Sequence, residues 1–273
     1  MPICACSSSI SLYYEVHGDG APLLLISGLG GGSWSWYGQI PFFSPRYRTI
    51  VFDNRGAGKS SVPRGPYTIA GMAQDTLDLL DHLQADQALV AGLSMGGMIA
   101  QELALLAPER IRALVLGCTH CGGALHVSAS GNVLQAFLQN DGLSREEILR
   151  KNASLFFSEA FRLTRLKAID RYIQVQLTSP IRPPHAFEAQ VEAIRTFDRC
   201  SRLHRIAAPT LVITGTEDAL IPAANARILA NRIPHARLHE IPGAGHALHV
   251  ECRDELNFLM DDFFQETMKG AER

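Results

Sequence analysis

Gly92 and Gly96 stand two residues on either side of Ser94, in the stretch Ala91-Gly92-Leu93-Ser94-Met95-Gly96-Gly97 that follows the apolar run Ala88-Leu89-Val90. Gly-x-Ser-x-Gly is the pattern of a strand that turns sharply into a helix with a serine at the apex. So tight a turn brings strand and helix so close that the two outer positions carry little or no side chain. It also lifts the hydroxyl off the sheet edge and aims the Met95 N–H, at a helix start, toward any oxygen that becomes anionic during attack. A serine hydroxyl alone is a poor nucleophile at neutral pH, so the chemistry requires a histidine base and an orienting carboxylate elsewhere. On five residues alone, a glycine-rich turn that merely holds a serine explains the pattern equally well.

Two later stretches supply the partners. Gly215-Thr216-Glu217-Asp218 follows the apolar run 209–214, and Pro242-Gly243-Ala244-Gly245-His246 follows a strand-like run over 236–241. Asp218 and His246 are the candidates for the carboxylate and the base, each standing, like Ser94, just past the end of a predicted strand. The competing readings are Asp218 as a cap on the next helix, which Pro222 places later, Glu217 as the acid, and His120 as the base. Upstream, Ser27-Gly28-Leu29-Gly30-Gly31-Gly32-Ser33 follows the strand-like run 22–26. Its glycines let main chain approach a substrate, which makes the Leu29 N–H the second oxyanion donor beside Met95. Gly28-x-Gly30 with Asp53 also imitates a dinucleotide fingerprint, but Ser33 stands at the third small position and Pro41 and Pro45 interrupt the helix that should follow. No cofactor is expected.

Positioning these groups requires a layered scaffold. An alternating strand over 10–17 opens the chain, and the continuous apolar runs 22–26, 49–53, 88–90, 112–117 and 210–214 read as strands buried on both faces. Helices are predicted over 68–84, after the elbow as far as Pro108, over 223–233 and over 254–265. Strands alternating with helices predict an α/β fold, with a mostly parallel sheet and helices on both faces. In such sheets the functional loops follow the carboxyl ends of strands, where Ser94, Asp218 and His246 all fall. Between Gly117 and Pro209 lie 91 residues, where a parallel crossover needs only about a dozen. An inserted helical subdomain follows: 1–120 and 206–273 form the core domain, and 121–205 the cap. Ser144-Arg145-Glu146-Glu147 opens one of its helices as a capping box, and Phe187, Val191, Ile194 and Phe197 recur at helical spacing. Six phenylalanines of the insert, Phe137 among them, suit either an apolar lid wall or the insert's own core. Trp34, His120 and Phe137 are the expected substrate contacts; Trp34 and Trp36 are equally explained by core packing.

The order Ser, Asp, His identifies the resemblance. The chain resembles an α/β-hydrolase along nearly its whole length: the 27–31 loop, Asp53-x-Arg55-Gly56-x-Gly58-x-Ser60, the elbow, Gly215-x-x-Asp218 and Gly245-His246 match in order and spacing. Residues 55–68 and the flanking helices look similar to 3-oxoadipate enol-lactonases, small esterases and cofactor-free haloperoxidases. The resemblance implies Ser94 as nucleophile, His246 as base and then acid, Asp218 as the group that fixes the imidazole tautomer, and Leu29 and Met95 as oxyanion donors. Ser27-Gly28 replaces the usual His-Gly of the oxyanion loop, which changes what supports it. Serine at the elbow, rather than aspartate, argues against dehalogenase and epoxide-hydrolase chemistry. Leu93 stands where carbon–carbon bond hydrolases often carry a polar residue.

Composition excludes other classes. A net charge of −2 and 47% hydrophobic residues over 273 positions suit a globular protein, with no basic excess for nucleic acid. The apolar runs fall far short of the ~18 residues of a membrane helix, and no signal-peptide pattern opens the chain. Six irregularly spaced cysteines favour reduced thiols and a cytoplasmic protein. A thiolate metal site from Cys4, Cys6, Cys118 and Cys121, or a carboxylate site from Asp75, Asp78 and Asp81, is the weaker reading of those residues, so no metal is expected. The expected activity is hydrolysis of a small-molecule carboxylic ester or lactone through an acyl-enzyme. The alternatives are carbon–carbon bond hydrolysis by the same triad and a weakly catalytic ligand receptor. Oligomeric state is not legible.

Overall fold

Continuous apolar runs and alternating ones do different work in the computed structural model, which describes residues 2–181 and 183–271. Eight strands form one sheet among the described residues: β1 (Ile3–Ala5), β2 (Ser11–His17), β3 (Ala21–Ile26), β4 (Tyr47–Phe52), β5 (Ala88–Leu93), β6 (Ile111–Gly117), β7 (Thr210–Gly215) and β8 (Arg237–Ile241). They lie in the order β1-β2-β4-β3-β5-β6-β7-β8. β1 and β2 pair antiparallel, as do β2 and β4, and every pairing from β4 to β8 is parallel. β1 escaped the sequence reading because only Cys4 of its three residues turns inward, too short a run for alternation to register.

The core helices are α1 (Ile40–Phe43), α2 (Ile69–His82), α3 (Met95–Leu106), α9 (Ala224–Arg232), α10 (Leu248–Glu251) and α11 (Arg253–Ala271). Successive side chains of a strand face opposite ways, and the central strands feed two cores accordingly. Leu24, Ile26, Val90, Leu114 and Val212 pack with α2, α3 and α9. Leu23, Leu25, Leu89, Val115 and Ile213 pack on the other face with Phe43 of α1 and Met260 and Phe264 of α11. Thr68 caps α2 by accepting the Gly71 N–H. The carboxyl ends of β5, β6, β7 and β8 therefore lie along one side of the sheet.

Between β6 and β7 lie α4 (Gly131–Leu138), α5 (Arg145–Phe156), α6 (Glu159–Thr164), α7 (Leu166–Thr178) and α8 (Pro184–Arg195). Ser144 and Glu147 form both halves of the capping box on α5. Ala153, Phe157, Ile169, Tyr172 and Ile173 make a third, smaller core that also takes in Ala247 from the main body. Asn152, in a glycosylation-like triplet, is buried in α5.

The insertion leaves and rejoins the main body at one place. Gly122 bridges Asp198, the Arg199 N–H donates to the Cys121 carbonyl at 2.8 Å, and Cys121 is disulfide-bonded to Cys200 with Cα atoms 5.1 Å apart. This corrects the expectation of reduced thiols for that pair. The two cysteines are 79 positions apart, and only the closure of the insertion's neck brings them together. Disulfides persist in oxidising compartments, so the bond pulls against the cytoplasmic expectation. It also takes Cys121 out of any four-thiolate metal set. The aspartates of α2 are engaged separately: Asp75 pairs with Arg55, Asp78 accepts from Ser7 and Gln74, and Asp81 pairs with Arg110. Among the described residues, no helix is long and apolar enough to cross a membrane.

Candidate active site

Ser94 falls between β5 and α3 with φ 56° and ψ −122°, a conformation that side-chain-bearing residues avoid at a cost of order 1–3 kcal/mol. Surrounding bonds hold it there. Its N–H donates to the Gly117 carbonyl at 2.9 Å, and its own carbonyl accepts from Gly97 N–H at 2.9 Å and Thr119 Oγ1 at 2.7 Å. A Cβ on Gly92 would lie 2.2 Å from the Gly96 carbonyl oxygen, and one on Gly96 only 2.0 Å from that of Ile26. Close main-chain approach therefore dictates both glycines.

The loop after β3 runs beside Ser94: a Cβ on Gly28 would stand 3.1 Å from Ser94 Cβ and 3.6 Å from its Oγ. Ser27 props this loop by donating its hydroxyl to the Gly32 carbonyl at 2.9 Å, while Asn54 Nδ2 donates to the Ser27 carbonyl at 3.1 Å. Asp53 accepts the Ser33 and Lys59 N–H groups at 2.7 and 2.8 Å. Burial pushes its pKa up against those bonds. It is a loop brace, with no carboxylate free for a ribose. Gln190 of α8 was missed from sequence; fully buried, it accepts the Gly30 N–H at 3.0 Å and donates to the Arg55 carbonyl at 2.8 Å. The available signal was a polar residue inside the apolar stripe of Phe187, Val191 and Ile194. Among the described residues, neither the Leu29 nor the Met95 N–H donates to a protein acceptor.

His246 Nδ1 lies 2.8 Å from Asp218 Oδ2. Asp218 Oδ1 accepts the Leu220 and Ile221 N–H groups at 2.9 and 2.8 Å. A buried carboxylate so placed makes Nδ1 the donor and leaves Nε2 free as an acceptor, the tautomer a base needs. Asp218 does not cap α9, which begins at Ala224, and Glu217 is exposed. Cys118 relates this pair to Ser94. It follows Gly117, which binds the Ser94 N–H, and its thiol lies within 4.8 Å of the ligand atoms of Asp218 and His246. Among the described residues no hydrogen bond joins Ser94 Oγ to His246; such bonds are often long without substrate and tighten with it.

The insertion grips the histidine loop. Glu251 Oε2 accepts from Gly245 N–H at 3.2 Å and from Ser158 N–H at 3.1 Å, and its Oε1 accepts the Ser158 hydroxyl. The Ala247 N–H donates to the Phe156 carbonyl at 2.9 Å, and the Phe156 ring stacks on His246 at 5.9 Å. Phe137 meets Phe156 at 6.0 Å and Phe187 at 6.3 Å, an aromatic path from the insertion to the imidazole. Trp34 is half-buried and donates its indole N–H to Gln176 of α7 at 3.1 Å, whereas Trp36 is core. His120 is committed to its own loop. Its Nδ1 accepts the Gly122 N–H at 3.0 Å, its ring stacks on His126 at 4.1 Å, and burial, then His126, pushes its pKa down to about 3.

Residues 21–251 match the family model of the alpha/beta hydrolase fold. The chain belongs to this family. A protein of Azorhizobium caulinodans provisionally named carbamate hydrolase RutD is 32% identical over 254 residues, covering 92% of this chain and 94% of that relative. The 3-oxoadipate enol-lactonase 2 of Acinetobacter baylyi is 30% identical over 263 residues, 93% of each chain. The solved enol-lactonase of Burkholderia xenovorans superposes with a TM-score of 0.83 at 27% identity, covering 97% of this chain and 100% of that one. In this α/β-hydrolase the loops that hold Leu29, Ser94, Asp218 and His246 leave the carboxyl ends of the parallel strands β3, β5, β7 and β8, with β6 between β5 and β7.

Proposed function

We propose that this α/β-hydrolase cleaves a small carboxylic ester or lactone through an acyl-enzyme on Ser94, with the insertion acting as a cap over an apolar pocket that includes Trp34 and Phe137. The observation that carries the reading is the strained Ser94 elbow sharing one sheet edge with the 2.8 Å His246–Asp218 pair. His246 Nε2 takes the Ser94 proton as Oγ attacks the carbonyl carbon, and the Leu29 and Met95 N–H groups receive the developing oxyanion. The imidazolium then gives its proton to the departing alkoxide. In a lactone that alkoxide stays tethered to the acyl group. Water, deprotonated by the same imidazole, attacks the ester carbon and returns Ser94 with its proton. The enol-lactonase relatives support the lactone; a carbamate, the bond in the name of RutD, would follow the same steps.

Intact-mass analysis after a fluorophosphonate probe tests the reading. Wild type is expected to gain one adduct, mapped to Ser94. Ser94→Ala is expected to gain none, and His246→Ala to react on the order of a thousandfold more slowly. A folded wild type that stays unlabelled would overturn the reading in favour of a ligand receptor. Turnover of an ester, a lactone and a carbamate then separates substrate classes.

A further inference from the structure

The hydrolytic steps leave Cys118 without a task, yet it sits among the groups that perform them. Its thiol, the Asp218 carboxylate and the His246 imidazole offer three ligand atoms, all within 4.8 Å of one another. They arrive from just beyond the ends of three neighbouring strands, β6, β7 and β8, whose pairing brings the three groups together. Cys118 adopts φ 45°, the left-handed region that a side-chain-bearing residue enters only when its surroundings impose it, and its N–H is tied to the Ile213 carbonyl at 2.9 Å. Asp218 Oδ1 is already braced by two backbone N–H groups, the outer support that metal-binding carboxylates use. His246, with 11% of its side chain exposed, is the member open to solvent.

One thiolate, one imidazole nitrogen and one carboxylate oxygen make a mixed donor set suited to a borderline-soft dication with a water as fourth ligand. Bonds of about 2.0–2.3 Å would hold tetrahedral ligand atoms roughly 3.3–3.7 Å apart. The cluster approaches that spacing; the Asp218–His246 pair must open slightly and the thiol move in.

We propose that Cys118, Asp218 and His246 form an inhibitory binding site for a zinc-like divalent cation, held by Cys118 Sγ, an Asp218 oxygen and His246 Nδ1. The proton on Nδ1 passes to Nε2, so the imidazole stays neutral, while the Cys118 thiol gives its proton to solvent; one proton is released per cation bound. An imidazole with metal on Nδ1 and hydrogen on Nε2 has no lone pair for the Ser94 proton. Cation binding and turnover are therefore mutually exclusive. The inhibitory consequence rests on the hydrolase reading above; the binding itself does not.

Cadmium and zinc are the probes, used on the full chain as wild type, Cys118→Ser and, as a control at a second free and only partly buried thiol, Cys252→Ser, each first checked for folding by circular dichroism. Wild type is expected to bind one equivalent of cadmium with an ultraviolet thiolate-to-metal charge-transfer band, and zinc with release of one proton. Its reaction with the fluorophosphonate probe is expected to be blocked by zinc and restored by EDTA. Cys118→Ser is expected to lose the band and to bind zinc on the order of a hundredfold more weakly, while Cys252→Ser retains both. Undiminished zinc affinity in Cys118→Ser, or a band that vanishes only in Cys252→Ser, would overturn the proposal. Cation binding with the band in a protein that no probe labels would uphold the site and refute the hydrolase reading. Normal labelling with no cation bound would do the reverse.

Discussion

Ser27 carries a specific burden in the loop proposed to receive the oxyanion, because one hydroxyl replaces the bulk and the second nitrogen of the histidine usual there. Its bond to the Gly32 carbonyl closes a six-residue turn in which a Cβ on Gly28 would stand 3.1 Å from Ser94 Cβ. Removing the hydroxyl leaves the Gly32 carbonyl with the Ser35 N–H as its remaining donor, at 2.9 Å, so the loss is that of one net hydrogen bond, about 0.5–1.5 kcal/mol. Only a part of this falls on the transition state, through displacement of the Leu29 N–H. Ser27→Ala is therefore expected to lower kcat about threefold, equivalent to about 0.6 kcal/mol, with KM nearly unchanged, since ground-state contacts do not depend on this donor. Steady-state kinetics on one activated ester decides it: an unaltered kcat would mean that Asn54 and Gln190 hold the loop without help.

At the scale of elements, the short helix α10 connects the insertion to the base. Glu251 gathers Gly245 N–H, Ser158 N–H and the Ser158 hydroxyl, and Gly245 is pressed so closely on the insertion that a Cβ there would stand 2.8 Å from the Phe156 carbonyl oxygen. Hydrogen bonds to a charged group are each worth about 1.5–3 kcal/mol, so Glu251→Ala is expected to slow fluorophosphonate labelling of Ser94 by roughly tenfold or more. Glu251→Gln is expected to stay within about threefold of wild type, because one amide oxygen can accept both N–H groups while the amide nitrogen donates to Ser158 Oγ. Equal losses in the two variants would show that the charge matters and the bridge does not. None of this bridge was legible in the sequence. Ser94, Asp218 and His246 announce themselves because each sits in a glycine-marked loop after an apolar run, and the strands show because burial on both faces leaves an unbroken run of apolar residues. Glu251, Gln190 and Cys118 act through neighbours 93, 160 and about a hundred positions away. No local pattern records such a distance.

For the molecule as a whole, burying imidazoles on both sides of the sheet edge sets an acid limit on stability. His120 is pushed down to about 3 by burial and then by His126, and His249, packed near Trp36, to about 4 by burial and then by His246. In the unfolded chain both take up protons near 6.5. Below that pH the unfolded state binds protons that the folded state refuses, so stability falls as pH drops from 6.5 toward about 4. The slope is at most about 1.4 kcal/mol per pH unit for each histidine. Asp53 acts in the opposite sense at the acid end: its raised pKa makes the folded state take up a proton before the unfolded one does. The window in which the histidines dominate is therefore 6.5 down to about 5. Tm measured from pH 7.5 to 5 is expected to be level at first and then to fall. His120→Asn, whose side-chain oxygen can accept the Gly122 N–H in place of Nδ1 without titrating, is expected to flatten part of that fall, the rest belonging to His249 and to His126, which burial also pushes down. Parallel curves for the two proteins would show that His120 changes its protonation state no differently on unfolding than asparagine does, and would move the acid limit to other groups.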